Sequence, residues 1–180
     1  YMCDGSVDSR DLNLIDNYHF FSQKYIGSIT NRDYISLNDW VASSDYSQSK
    51  NLLLQMDIEG CEYETLLACP ESLLSNFAII AIEIHRLENL KSLNFLNMTF
   101  NPLMYKLTSV FDVVHVNGTN CAGITSVDNF YYPRVIELTL IRKDLNKDKI
   151  YVPQIPHPFD YETCPEMPPI KLGIPFVEEG

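Results

Sequence analysis

Two apolar runs, Leu52 to Ile58 and Phe77 to Ile84, stand on either side of a stretch long enough for one helix. No other feature constrains the chain as strongly. The first run reads Leu-Leu-Leu-Gln-Met-Asp-Ile and stops at Glu59-Gly60. The second reads Phe-Ala-Ile-Ile-Ala-Ile-Glu-Ile and ends in His85. Nearly unbroken hydrophobicity is what a strand covered on both faces requires. Between the runs a helix is expected from about Cys61 to Leu67, and Pro70 opens a second turn through Leu74. Strand, helix and strand within about 33 residues make a βαβ unit, whose two strands run parallel. The expected fold class is therefore α/β.

The flanking segments add strands and helices to this unit. Tyr1-Met2-Cys3 reads as a strand end that turns at Asp4-Gly5-Ser6. A short helix is expected around Leu12 to Phe20 and a short strand over Lys24 to Ile29. Ser36, with Asp39 three residues on, reads as the cap of another helix. Arg86 to Leu107 carries near-helical apolar spacing, broken into two pieces at Asn101-Pro102. Phe111 to Val116 and Val135 to Ile141 read as strands, joined by an 18-residue loop from Asn117 to Arg134. Seven of the ten prolines fall between Tyr151 and Gly180. The expected organisation is one α/β domain over 1–150 and an extended, irregular tail over 151–180. The record begins at Tyr1, inside what reads as a strand, so the amino-terminal part of the domain is expected upstream.

Composition removes several function classes. Thirteen basic against 24 acidic residues give a net charge of −11, which opposes binding to nucleic acid or to anionic lipid. The longest wholly apolar run, Phe77 to Ile82, is far short of the roughly 20 residues of a membrane span. None of the seven glycines forms a G-x-G-x-x-G or P-loop pattern. Cys3, Cys61, Cys69, Cys121 and Cys164 are odd in number and contain no C-x-x-C. Free thiols packed in a reducing, cytoplasmic setting are the expectation for all five.

Ligands of open parallel sheets bind beyond the carboxyl ends of the strands. There this sequence places Asp4, then Asp57 with Glu59 and Gly60, then Glu83 and His85, then His115 and Asn117. Glu83 stands out, because a carboxylate with Ile on both sides needs a reason to be there. Each group also has a plain structural role open to it. Asp57 can cap the following helix, Glu83 can pair with Arg86 or Arg134, and His85 and His115 can be hydrogen-bonded core histidines. Glu62 and Glu64 read as solvated helix residues, and Cys61 and Cys121 as packing.

The segment from Leu53 through Asp57-Ile58-Glu59-Gly60-Cys61-Glu62 to Leu66 resembles the FkbM-type family of S-adenosylmethionine-dependent methyltransferases. Cys61 stands where the family carries a small Ala. The resemblance continues through Ile80 to His85, through Phe111 to Asn120, and through Pro133 to Thr139, covering roughly residues 1 to 142. It implies a class I methyltransferase, Rossmann-like open sheet of seven strands, mainly parallel with an antiparallel last strand. It also implies S-adenosylmethionine as cofactor, with Asp4, Asp57, Glu59 and Gly60 on the donor side. The family's glycine-rich turn after its first strand has no counterpart in these residues.

Three functions follow as expectations. The first is O-methylation of a small molecule, sugar or glycan, with Asp57, Glu83, His85 and His115 as catalytic candidates. Asn117 and Asn120 would bind acceptor hydroxyls. The second keeps the fold and adds a divalent metal on Asp57, Glu83, His85 and His115. The third is a non-catalytic domain that associates, with itself or a partner, through the tail and the 117–134 loop.

Overall fold

The computed structural model of the chain describes residues 1–12, 19–149, 156–170 and 172. In chain order the elements are β1 (Met2–Cys3), β2 (Phe21–Ser22), β3 (Tyr25–Gly27), β4 (Tyr34–Ser36), α1 (Leu37–Ala42) and β5 (Leu52–Met56). Then come α2 (Glu62–Ala68), α3 (Glu71–Leu74), β6 (Phe77–Ile84), α4 (Leu93–Phe95), α5 (Asn101–Val110) and β7 (Phe111–Gly118). A hairpin of β8 (Ile124–Val127) and β9 (Phe130–Pro133) precedes β10 (Ile136–Arg142).

The central sheet has four strands in the order β5-β6-β10-β7. β5 and β6 pair in parallel, with Leu54 beside Ile80 and Met56 beside Ile82. β10 lies antiparallel between β6 and β7. Three strands therefore share one direction and the last opposes them, an α/β arrangement whose final strand is antiparallel as expected. β1 with β2 and β3 with β4 form two separate parallel pairs. Among the described residues the central sheet has four strands rather than seven.

One face of this sheet is the core. Leu54 and Met56 of β5, Ile80, Ile82 and Ile84 of β6, and Leu138 and Leu140 of β10 are buried in one cluster. Tyr63 and Leu66 of α2, Leu74 of α3, and Leu103 and Leu107 of α5 complete it. The other face is more open than the apolar runs imply. β6 alternates buried and half-buried positions, and Leu53 is 66% exposed. Expectation and structure differ because small Ala81 and acidic Glu83 occupy the second face, where both are only half-buried.

Local signals place the helices. Ser36 Oγ accepts from the Asp39 backbone N–H at 3.1 Å, so α1 starts at the expected cap. α2 puts Glu62, Tyr63, Thr65 and Leu66 inward and leaves Glu64 exposed. Lys106 of α5 donates to the carbonyls of Leu67 and Cys69, closing the carboxyl end of α2. The span after β6 begins as a 3-10 turn over Leu87–Lys91, passes through α4 and a π turn over Leu96–Phe100, and becomes regular at α5. The expected break at Asn101-Pro102 does not occur: Phe100 and Asn101 are both in the α region, the backbone stays helical through them, and the missing Pro102 N–H falls where π bonding gives way to α.

Three expectations need correction. The 117–134 segment is not a structureless loop: most of it is the β8–β9 hairpin, turned at Asp128 with φ 50. β-branched and aromatic side chains on both arms stabilise pairing over open coil. The cysteines are not all free: Cys121 is joined to Cys164, while Cys3, Cys61 and Cys69 are free thiols. Glu62 is not solvated but fully buried. Of the helix expected around Leu12 to Phe20, residues 13–18 lie outside the described residues.

Candidate functional site

The carboxyl ends of β5 and β6 are neighbours, and their polar side chains meet there. Asp57 follows the last residue of β5, and Glu83 lies on β6 across from it. His85 comes two residues after Glu83, so the strand's alternation sends both to the open face. Between β5 and α2, Glu59 and Gly60 both take positive φ, 56° and 102°. That tight turn carries Glu62 beneath the imidazole of His85.

Glu62 organises the site. Its Oε1 accepts from the backbone N–H of Ile58 at 3.2 Å and of Gly60 at 3.1 Å. The same oxygen lies 3.0 Å from His85 Nδ1. A carboxylate oxygen accepts and does not donate, so Nδ1 carries a hydrogen toward Glu62, and Nε2 is the nitrogen turned to the other acids. Nε2 faces Glu59 Oε2 and Glu83 Oε2, each at 3.5 Å, and Asp57 Oδ1 at 3.7 Å. Only 12% of the His85 side chain is exposed. Its backbone carbonyl accepts from the Tyr63 hydroxyl at 2.7 Å.

The acids repel one another. Partial burial pushes the Glu83 carboxyl above its ordinary value, and the charge of Asp57 adds to the rise. His85 opposes it, while Glu137 and Glu59 reinforce it. The nearby cation is Arg86, at φ 60, whose guanidinium packs on Gly60 and reaches the Glu59 carbonyl at 3.5 Å. A Cβ at Gly60 would stand 2.2 Å from Arg86 Nε. The turn therefore needs glycine for its φ and for this contact.

Compared with protein-family models, with curated proteins and with solved structures, the chain matches none.

The remaining candidates stand apart from this cluster. Asp4 ends β1, in a different sheet, and its Oδ1 is bonded to the backbone and hydroxyl of Ser6 at 2.8 and 2.7 Å. Those bonds hold its carboxyl below the usual carboxylate range. Asn117 shares a row of the open face with Glu137 and Glu83 and donates to Glu137 Oε2 at 3.2 Å. His115 is on β7, and its Nε2 lies 3.0 Å from Asp160 Oδ1. Three strand spacings separate β7 from β5, about 14 Å.

Asn120 is buried and tied to the tail. Its side chain accepts from the Cys164 N–H at 3.0 Å and donates to the Cys164 and Met167 carbonyls at 2.8 and 3.3 Å. With the Cys121–Cys164 bond, these contacts strap residues 156–170 to the end of β7. Asp160 arrives on that strap, and Oδ2 accepts from the His157 N–H at 2.7 Å. A cavity of about 340 Å³ separates the strap from the β8–β9 hairpin, lined by Tyr131, Tyr132, Met167 and Pro168 among others.

Two acidic side chains that hold the candidate histidines, Glu62 on His85 and Asp160 on His115, were not read from the sequence. Glu62 looks like a solvated helix residue until the 59–60 turn rotates the first helical turn under His85. Asp160 belongs to a segment whose position depends on a covalent link 43 residues long in sequence. The Asp57-x-Glu59-x-x-Glu62 spacing carried a signal for the first, and the second had none.

Proposed function

We propose that the chain is a methyltransferase domain that moves a methyl group from S-adenosylmethionine to a hydroxyl of a small molecule, sugar or glycan. One observation carries this reading. Asp57, Glu83 and His85 converge at the carboxyl ends of neighbouring parallel strands, in a sheet whose last strand runs antiparallel between β6 and β7. The resemblance of residues 53–66 and 80–85 to FkbM-type enzymes points to the same place.

The cluster suits a cationic ligand. Carboxylates that raise each other's proton affinity gain when positive charge comes between them. The donor, when bound, supplies a methyl group on a positively charged sulfur. Asp57, on the rim of the cluster, is the carboxylate placed to face that charge. Asp4 is committed to its own turn, so the support for the donor's cationic centre is stronger than for its ribose.

Methyl transfer is in-line displacement, in which the protein mostly positions the two reactants. The hydroxyl proton needs an acceptor within hydrogen-bond reach. His85 fits this role better than His115. Glu62 holds Nδ1, so Nε2 is the nitrogen turned toward Asp57 and Glu83, and in the neutral ring it is the atom that takes the proton. His115 is about 14 Å away across the sheet, too far to share reacting atoms with Asp57. Asn117, in the row of Glu83 and Glu137, remains in place to meet the acceptor.

Isothermal titration of the chain with S-adenosylmethionine, which carries the sulfonium charge, tests the reading. Saturable binding that Asp57→Ala weakens at least tenfold is the expected result. Absence of heat with a folded sample overturns it.

A further inference from the structure

We propose that Asp57, Glu83 and His85 form a binding site for a single divalent metal ion, held in shape by the buried carboxylate of Glu62. One ligand atom from each of the three lies within 4.8 Å of the others. The inference shares residues with the proposed methyl-transfer site but does not rest on methyl transfer.

The argument begins with the imidazole. Oε1 of Glu62 already accepts from two backbone N–H groups, so His85 Nδ1 is its third donor. Nε2 then faces three carboxylate oxygens at 3.5 to 3.7 Å, too far for a close hydrogen bond to any of them. Carboxylates gathered this closely repel one another unless something positive lies between them. A proton on Nε2 serves one partner well, because a hydrogen bond to oxygen closes to about 3.0 Å. A metal ion serves several at once. Two ligands on a tetrahedral ion with bonds near 2.1 Å stand about 3.4 Å apart, close to the spacing here.

A second observation points the same way. Glu62 is fully buried beneath the cluster, and its Oε2 has no hydrogen-bond partner among the described residues. An uncompensated buried carboxylate is costly unless positive charge is near. A cation on the far side of the imidazole supplies that charge through the ring. Carboxylate, imidazole and ion in a line is the arrangement by which metal sites fix a histidine's tautomer and raise its basicity. Glu59, 84% exposed, can swing in as a further oxygen ligand from the rim.

The ligand set selects among ions. Two carboxylates and one imidazole, with no thiolate, suit Mn²⁺, Mg²⁺ or Zn²⁺ rather than Cu(I). Where the ion is bound, Nε2 acts as a ligand, and an acceptor hydroxyl coordinated to the ion becomes more acidic.

The test uses MnCl₂ alone, with no methyl donor. Titration of the intact chain, followed by loss of the free Mn²⁺ electron-spin signal, is expected to show one saturable site. Asp57→Asn is the primary variant because Asp57 lies on the rim and its removal spares the core; it should weaken binding at least tenfold. Glu62→Gln, checked for folding by circular dichroism, should weaken it 10- to 100-fold without removing a ligand. Glu71→Gln, an exposed carboxylate elsewhere, should leave it unchanged. No saturable site, or equal affinity in wild type and Asp57→Asn, overturns the proposal. Mn²⁺ binding without S-adenosylmethionine binding would leave this inference standing and remove the methyl-transfer reading. The reverse pair of results would do the opposite.

Discussion

The Glu62 carboxylate and the His85 imidazole meet at 3.0 Å, one fully buried and the other nearly so. Glu62 serves two backbone donors as well, so it closes the turn between β5 and α2 and fixes the ring at once. Glu62→Ala is expected to lower unfolding free energy by about 3 kcal/mol, since it strands two N–H groups and the imidazole N–H. Urea unfolding at pH 7 reads this directly. A loss under about 1 kcal/mol would show that water replaces the carboxylate and that Glu62 does not organise the site.

Gly60→Ala should fail for two separable reasons. Its φ of 102° strains any residue with a Cβ, at about 1–3 kcal/mol, and the added carbon meets Arg86 Nε at 2.2 Å. In the double variant with Arg86→Ala, the clash disappears and the strain remains. Partial recovery of the thermal midpoint is therefore expected. Full recovery would mean that φ is not what the turn requires of this position.

The Cys121–Cys164 bond closes a long loop, and such links stabilise by about 2–4 kcal/mol. Reductant, or Cys121→Ser with Cys164→Ser, should lower the thermal midpoint and release the strap. His115 then loses Asp160, which a nitrogen-15 shift of its ring would report. Peptide mapping without reductant should recover the two cysteines joined. Finding all five as free thiols after oxidative expression would contradict the pairing. Structural disulfides persist in oxidising compartments, so the bond argues against the cytoplasmic setting expected from the cysteine count.

Asp112 gives a pH-dependent term of known sign. Lys149 and Asn146 hydrogen-bond its carboxylate at 3.0 Å each and lower its pKa below the ordinary value. A lowered folded pKa contributes stability above the unfolded value, about 3.9, and the contribution fades as pH falls through the folded pKa. Asp112→Asn should thus cost about 0.5 kcal/mol at pH 7 and progressively less in acid, the size being that of an exposed pair. A difference that instead grows on acidification would refute the assignment.

How far sequence reached depends on the range of the interaction. The existence and positions of β5, β6, β7 and β10 were legible, with ends off by up to two residues, because apolar runs and breakers are local. The Ser36 cap and the start of α2 were legible for the same reason. The meeting of Asp57, Glu83 and His85 was legible because parallel neighbours must end at one rim. The β8–β9 hairpin was missed although its signal was local: β-branched and aromatic arms flank Asp128-Asn129, a usable turn pair. Glu62 was missed because its burial depends on two positive-φ residues just before the helix. The strap was missed because nothing near Cys164 or Asp160 reveals what they touch.

The place of β10 between β6 and β7 has a consequence for synthesis. Among the described residues β7 has one partner in the central sheet, β10, which leaves the ribosome later. Until residue 142 has emerged, the edge of β6 and the whole of β7 wait unpaired, offering their backbone groups to any neighbouring chain. A nascent chain halted before that point is the form in which this protein is most exposed to sticking, and shielding by a chaperone matters most there.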